Sequence, residues 1–241
     1  MVQALRAVIV DVDGTLYDLA RVRRRMAWRL LRFSACRPRE GWKTIRALRA
    51  FRMAQERMRP GAGGSVSPAQ DPGEPGSQAE WAAKLSGYPA DFIRRCAAKW
   101  MDCEPLEAVA EARLPGVAEF LFWANEIGLP VAAASDYDPR AKLRALGFER
   151  QITAAVWAQQ AEIGAFKPSP RLLLAAASKL GVRPAEALYV GDRQEVDGAA
   201  AQAAGMPVIV LAAGRGWREV RDRVAAAIAP DRSEVFVGDR L

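Results

Sequence analysis

The sequence predicts an α/β protein, a parallel sheet flanked by helices with a helical insertion, and three observations carry that prediction. The chain opens on Ala7-Val8-Ile9-Val10, a short apolar run rich in β-branched residues, as expected of a strand buried on both faces. From Pro115 onward, helical and strand-like patterns alternate in units typical of a parallel sheet. Between these two regions, residues 19–112 show helical periodicity around a Gly/Pro-rich stretch, and no strand pattern.

The opening strand runs straight into Asp11-Val12-Asp13-Gly14-Thr15. Asp-x-Asp-Gly also describes an ordinary turn. In open α/β sheets, however, ligands bind outside the carboxyl ends of the strands, so Asp11 and Asp13 are expected to project into that crevice. Leu19, Val22, Met26, Leu30 and Phe33 then recur at three- and four-residue spacing, which predicts an amphipathic helix over 19–34. Trp42, Ile45, Leu48 and Phe51 predict a second helix reaching about Met58. Residues 60–77 hold too much Gly and Pro for a regular element, and their glycines lack the spacing of a nucleotide phosphate loop, so a mobile loop without phosphate role is expected. Helical pattern returns over 78–85 and 90–101.

In the second half, a helix over 117–127 stops at Gly128, and a strand from Pro130 ends on Ser135. Asp138-Pro139 suits the cap and first position of a helix closed by Gly147. A strand over 152–157, a helix from Ser169-Pro170 to Leu180 and a strand over 188–190 follow, the last delivering Gly191-Asp192. A small-residue helix to Ala204, a strand over 207–211 and an amphipathic helix marked by Trp217, Val220, Val224 and Ile228 complete the pattern. Successive strand ends are thus expected to carry Asp11 and Asp13, then Ser135, Lys167 and Asp192. The gaps of 32 and 25 residues between the last three each fit one helix–strand unit. A second Gly-Asp-Arg, at 238–240, has no chain left for a following helix and is read as a tail.

Composition narrows the chemistry. The chain has no histidine, which removes the commonest general base, the usual zinc ligand and the Ser-His-Asp triad together, so an acid–base catalyst here is expected to be a carboxylate. Its three cysteines are spaced unlike a zinc site or a disulfide framework. The net charge of +7 is concentrated: residues 20–60 hold fourteen Arg or Lys against two Glu. Arg23, Arg24 and Arg25 read first as a solvated helix face, with binding of an anionic substrate, nucleic acid or a membrane surface as the alternative. No apolar run approaches the roughly 18–20 residues of a membrane helix and no signal-peptide cleavage pattern opens the chain, so a cytoplasmic protein without a membrane span is expected.

Asp11-Val12-Asp13-Gly14-Thr15, Ser135, Lys167-Pro168 and Gly191-Asp192 resemble, in order, the four motifs of the haloacid dehalogenase superfamily, over residues 5–17 and about 114–211. Ser135-Asp136-Tyr137-Asp138-x-Arg140 and Glu195-Val196-Asp197 look most like its helical-cap, phosphatase-like subfamily I members. The resemblance implies a Rossmann-like core made of residues 1–18 and 113–241, with 19–112 as an inserted α-helical cap whose opening admits substrate. It also implies a magnesium-dependent phosphoric monoester hydrolase acting on a small phosphorylated metabolite through an aspartyl-phosphate. Asp11 would be the nucleophile and Asp13 the general acid–base. Ser135, Asp136 and Lys167 would border the phosphoryl group, and Mg2+ would be held by Asp11, the backbone carbonyl of Asp13 and Asp192. Asp197 would orient the surrounding shell.

Elementary electrostatics points the same way, because several carboxylates and a phosphate dianion at contact distance require a divalent cation, and magnesium suits an oxygen-only ligand set. One residue departs from the family pattern. Most relatives carry Asn after the motif-two Ser or Thr, whereas Asp136 adds a carboxylate that opposes a phosphoryl group by about 4 kcal/mol at ~4 Å and an effective dielectric near ~20. A phosphomutase would keep the same residues. A receiver domain would carry its aspartate on a later strand, a dehalogenase would not need Asp13, and phosphonate hydrolysis would want a cap lysine, for which Lys43, Lys84 and Lys99 exist. A non-catalytic protein holding an acidic partner through the Arg-rich insertion is the alternative from another class.

Overall fold

Strand β1 (Ala7–Val10) is fully buried along its length, the outcome of a β-branched run covered on both faces. The computed structural model describes residues 5–59, 77–212 and 216–228. After β1 come helices α1 (Leu19–Cys36), α2 (Pro38–Met58), α3 (Gln78–Ser86), α4 (Ala90–Ala97) and α5 (Leu106–Glu111), with a wide π-type turn over Ala98–Cys103. The chain then alternates: α6 (Val117–Glu126), β2 (Val131–Ser135), α7 (Arg140–Leu146), β3 (Ala154–Trp157), α8 (Arg171–Lys179), β4 (Ala187–Gly191), α9 (Ala199–Ala203), β5 (Val208–Val210) and α10 (Trp217–Ile228).

All five strands are parallel, in the order β3-β2-β1-β4-β5. The chain steps outward from β1 through β2 and β3, then returns to place β4 on the other side of β1. The carboxyl ends of β1 and β4 therefore border a topological switch point, where a crevice opens. Period-two alternation divides β1 between two cores. Val8 and Val10 face Phe120, Leu121, Leu143, Trp217 and Val220, while Ala7 and Ile9 face Leu172, Leu173, Ala176 and Ala200. This is the parallel, helix-flanked α/β fold the alternation predicted.

Helices α1–α5 divide in two. Val22 of α1 and Val109 of α5 join the core cluster beneath β1, while Ala47, Phe51 and Ala54 of α2 form a cluster of their own with Trp81, Ala82 and Ile93. The chain enters and leaves this region at one place. Tyr17 and Arg113 form an antiparallel bridge, the Asp18 amide donates to the Ala112 carbonyl at 2.8 Å, and the Leu114 amide donates to the Leu16 carbonyl at 3.1 Å.

Several expectations need correction. Trp42 and Ile45 are 63% and 38% exposed, and the buried stripe of α2 is instead Gly41, Thr44, Ala47, Phe51 and Ala54. The small residues win because they permit close helix contact: a Cβ on Gly41 would lie 2.4 Å from Ser34 Oγ. Lys167 is not on a strand end but in the loop between β3 and α8, ten residues beyond Trp157. The helix expected from Pro139 begins at Arg140, with Asp138 accepting from the Arg140 amide at 3.0 Å. Of the expected 60–77 loop, Ser77 closes a capping box on α3 and the rest lies outside the described residues, as does the 238–240 repeat. Among the described residues no helix is long and apolar enough to cross a membrane.

Candidate active site

Asp11, Asp13, Ser135, Asp136, Lys167 and Asp192 all line one cavity of about 820 Å³ between the sheet's carboxyl edge and helices α1 and α2. Each arrives by a short, specified route. Asp11 follows β1, its amide donating to the Val190 carbonyl at 2.8 Å, so the β1–β4 pairing sets its position. Ser135 ends β2, and its neighbour Asp136 turns under the end of α2. Asp192 follows Gly191 at the end of β4.

At the floor, Lys167 Nζ lies 2.6 Å from Asp11 Oδ1, 2.7 Å from Asp197 Oδ1 and 3.1 Å from the Tyr189 hydroxyl. All of these side chains are buried. Asp197 does not line the cavity; its Oδ1 also accepts from Tyr189 at 2.8 Å, and its Oδ2 accepts the amides of Asp192 at 3.2 Å and Arg193 at 3.0 Å. A π-type turn over Gln194–Gly198 folds it back against β4, and a Cβ at Gly191 would come 2.6 Å from that of Asp197.

One ammonium thus faces a surplus of carboxylates. Ligand oxygens of Asp11, Asp192 and Asp197 lie within 4.8 Å of one another. Burial would raise Asp197, but the charge and hydrogen bond of Lys167 outweigh it and hold that carboxyl below the usual range. Asp11 has the opposite balance: burial, opposed by Lys167 but reinforced by Asp197 and Asp13, pushes it up to about 7. Burial and Asp197 likewise lift Asp192 to about 6. Its Oδ1 is buried with no hydrogen-bond partner among the described residues. An orphaned carboxylate oxygen beside Asp11, which must share its one ammonium with Asp197, is what a hard divalent cation fits.

Asp13 is held apart from this group. Lys142 Nζ reaches its two oxygens at 2.7 and 2.9 Å, and Tyr17 donates to it as well. Burial would raise Asp13, yet Lys142 and Tyr17 together keep it below the ordinary range. Its side-chain oxygens are therefore committed to protein donors. Asp136 is also paired: Arg59 Nη2 lies 2.8 Å from its Oδ2 and Gln55 Nε2 3.0 Å away.

A family model described as haloacid dehalogenase-like hydrolase matches residues 5–205. The chain belongs to the haloacid dehalogenase-like hydrolases. Over 104 residues, 42% of this chain, it is 35% identical to a glyceraldehyde 3-phosphate phosphatase of Methanopyrus kandleri, covering 44% of that protein. The chain spans less than half the length of the curated relatives it matches. Among solved structures, a subfamily IA haloacid dehalogenase-superfamily hydrolase of Geobacter sulfurreducens superposes with a TM-score of 0.57 at 21% identity, covering 91% of this chain and 100% of that one. A β-phosphoglucomutase of Clostridium difficile gives 0.58 at 15% identity, covering 93% and 99%. At such identities the superpositions speak for the fold alone.

For a haloacid dehalogenase-like hydrolase, the residues missed in the sequence are instructive. Lys142 sits beside the buried Leu143 in α7, and a lysine on an otherwise apolar helix face, seven residues past Ser135, was the available signal. Tyr189 lay hidden inside a buried strand. Arg59 is one of fourteen basic residues over 20–60, and nothing local sets it apart. Most basic residues over 20–60, Arg23 and Arg24 among them, are exposed as a solvated face requires, while Arg25 and Arg29 pair with Glu107, Glu111 and Glu104 of the α5 region. Arg23, Arg49 and Arg52 line the cavity and have no hydrogen bond or ion pair among the described residues.

Gly14 adopts φ +94°, and a Cβ there would lie 2.3 Å from Asp192 Oδ2. Gly14→Ala is therefore expected to cost about 1–3 kcal/mol in backbone strain and to displace Asp192, with about a 100-fold loss of turnover. Thermal unfolding and steady-state rates check both, and wild-type values in either would contradict this account of the turn.

Proposed function

We propose that this protein is a magnesium-dependent phosphoric monoester hydrolase acting on a small phosphorylated metabolite through an aspartyl-phosphate. The observation that carries this reading is the buried Asp11–Lys167 contact at 2.6 Å beside the unpartnered Asp192 Oδ1, at the open end of the β1–β4 switch point. Helices α1–α5 act as the cap over that site.

In this reading an Asp11 oxygen attacks phosphorus and the ester oxygen leaves, splitting a slow displacement into two steps. Asp13 protonates the leaving oxygen and later takes a proton from the attacking water. Lys142 and Tyr17 hold it ionised at rest; the charge of an arriving phosphate dianion raises its proton affinity, and it takes from solvent the proton it delivers. Ser135 donates to the phosphoryl oxygens while Lys167 offsets their charge. Asp11, the Asp13 backbone carbonyl and Asp192 would hold Mg2+, which when bound neutralises phosphate charge. Asp197, its oxygens already committed to Lys167, Tyr189 and two amides, orients this group without ligating. Arg23, Arg49 and Arg52 favour a substrate with a second acidic group.

Mg2+-dependent phosphate release across small phosphomonoesters, glyceraldehyde 3-phosphate included, tests the proposal, and no release from any of them would refute it. Calorimetric titration adds a readout independent of turnover. A cation must displace the protons of Asp11 and Asp192, raised to about 7 and about 6, so its affinity weakens as pH falls through those values. At least about a tenfold loss in affinity is expected from pH 8 to pH 6, with protons released on binding.

A further inference from the structure

The geometry points to Arg59 and Asp136 acting as one unit, a buried latch that ties the end of α2 to both loops bearing the phosphoryl-binding residues, with Arg59 as a positioning residue. The activity part rests on the phosphatase reading above; the latch itself does not.

Asp136 stands where most relatives in the resemblance carry Asn, and by itself it would leave an anion against the phosphoryl pocket. Arg59 answers it. Nη2 lies 2.8 Å from Asp136 Oδ2 and Nη1 donates to the Lys167 carbonyl at 2.6 Å, so one guanidinium spans the Ser135 loop and the Lys167 loop. The remaining Asp136 oxygen accepts the Lys167 amide at 3.3 Å, which closes a ring through both loops. Arg59 and Asp136 side chains are only 7% and 9% exposed.

Gln55, in the last turn of α2 just before Arg59 leaves the helix, donates to Asp136 Oδ2 at 3.0 Å and accepts from Tyr137 at 2.8 Å. Gln78 of α3 donates to the same tyrosine hydroxyl at 3.0 Å. Two helices of the insertion are thereby fastened to the segment that follows β2. The third guanidinium nitrogen, Nε, lies 3.3 Å from a Glu56 carboxylate oxygen but makes no hydrogen bond among the described residues; both terminal nitrogens are committed to Asp136 and the Lys167 carbonyl, and Arg59 acts on the reaction through them.

A buried ion pair of this kind contributes little net stability, but removing one partner strands the other's charge in a dry site. Asn at 136 could not neutralise Arg59, and Asp at 136 without Arg59 would oppose phosphate. The pair therefore replaces a neutral amide as a matched set, and the guanidinium brings with it an attachment of α2 that an amide alone would not provide.

Four proteins test this: the wild type, Arg59→Met, Asp136→Asn and the double variant. With p-nitrophenyl phosphate and Mg2+, each single change is expected to lower kcat/KM by about 10- to 30-fold, and the double variant to recover to within about threefold of wild type, the non-additivity of a coupled pair. Amide hydrogen exchange of the resting proteins is the second readout. The Lys167 amide and residues 50–59 should exchange faster in each single variant and return toward wild-type rates in the double. A purely structural role would lower the folded fraction without this rescue.

A double variant as impaired as Arg59→Met, or an Arg59→Met protein with wild-type exchange, would overturn the latch. Should Arg59→Met fail to fold, a soluble double variant supports the pairing, and exchange in Asp136→Asn unchanged from wild type overturns it. If the wild type releases no phosphate, the phosphatase reading fails, and the exchange pattern alone still decides the latch.

Discussion

Asp11→Asn is expected to abolish phosphate release, with kcat falling by at least about 10⁴-fold, on the order of 5 kcal/mol of lost transition-state stabilisation. The same change should make the metal-free protein more stable. Asp11 is pushed up to about 7 by burial, with Asp197 and Asp13 adding to it, so at pH 8 the folded state holds a charge it would rather not carry. The sign follows from proton counts. Between the ordinary aspartate value and about 7 the folded protein retains a proton that the unfolded chain has lost, so stability falls as pH rises through that window. Asparagine removes the penalty, worth a few kcal/mol above pH 7. Thermal unfolding in chelator should show the variant ahead of wild type at pH 8 and the gap closing toward pH 4, with Mg2+ restoring the wild type. A variant that keeps turning over, or one that is less stable at pH 8, would contradict the excess-charge account of Asp11.

Lys167→Met is expected to do the reverse to stability while also ending activity. It leaves Asp11 and Asp197 buried without their shared ammonium, at distances now 2.6 and 2.7 Å from it. Breaking a buried ionic cluster by removing one partner costs about 3–5 kcal/mol, which corresponds to a fall of roughly 10 °C in Tm for a chain of this size. Asp197 is the group whose folded value is depressed, so its share of the stabilisation is present above the ordinary aspartate range and fades as pH drops through the folded value. The deficit of Lys167→Met should therefore be largest near neutrality and shrink in acid. Adding Asp11→Asn should return part of it, because the two changes meet on one contact. Equal melting temperatures for wild type and Lys167→Met would remove Lys167 from the centre of the site.

The contrast between these two variants explains what could be read from the chain. Asp11, Ser135 and Asp192 were legible because each sits at or just past a buried strand, where period-two patterning and the switch-point rule fix both location and direction. Lys167 was assigned to the right pocket but the wrong scaffold, since its loop carries no periodicity from which to measure. On α2 the larger hydrophobes Trp42 and Ile45 signal a helix but not its buried face, because helix approach is decided by Gly41 and Ala47. Lys142 and Arg59 share a different obstacle: their partners lie 129 and 77 residues away, and long-range charge pairing leaves no mark in local pattern, while Tyr189 is masked by the buried strand that carries it.

The bridge between Tyr17 and Arg113 has a consequence for how this protein can change over time. With its two ends pinned side by side, the excursion from 18 to 112 leaves and rejoins the rest of the chain at one point. Doubling the length of such an excursion adds only about 0.6 kcal/mol of closure entropy. On that account this segment can be lengthened, trimmed or exchanged at little cost to the sheet, and under the proposed function such changes would alter which molecule is admitted without touching the carboxylates beneath.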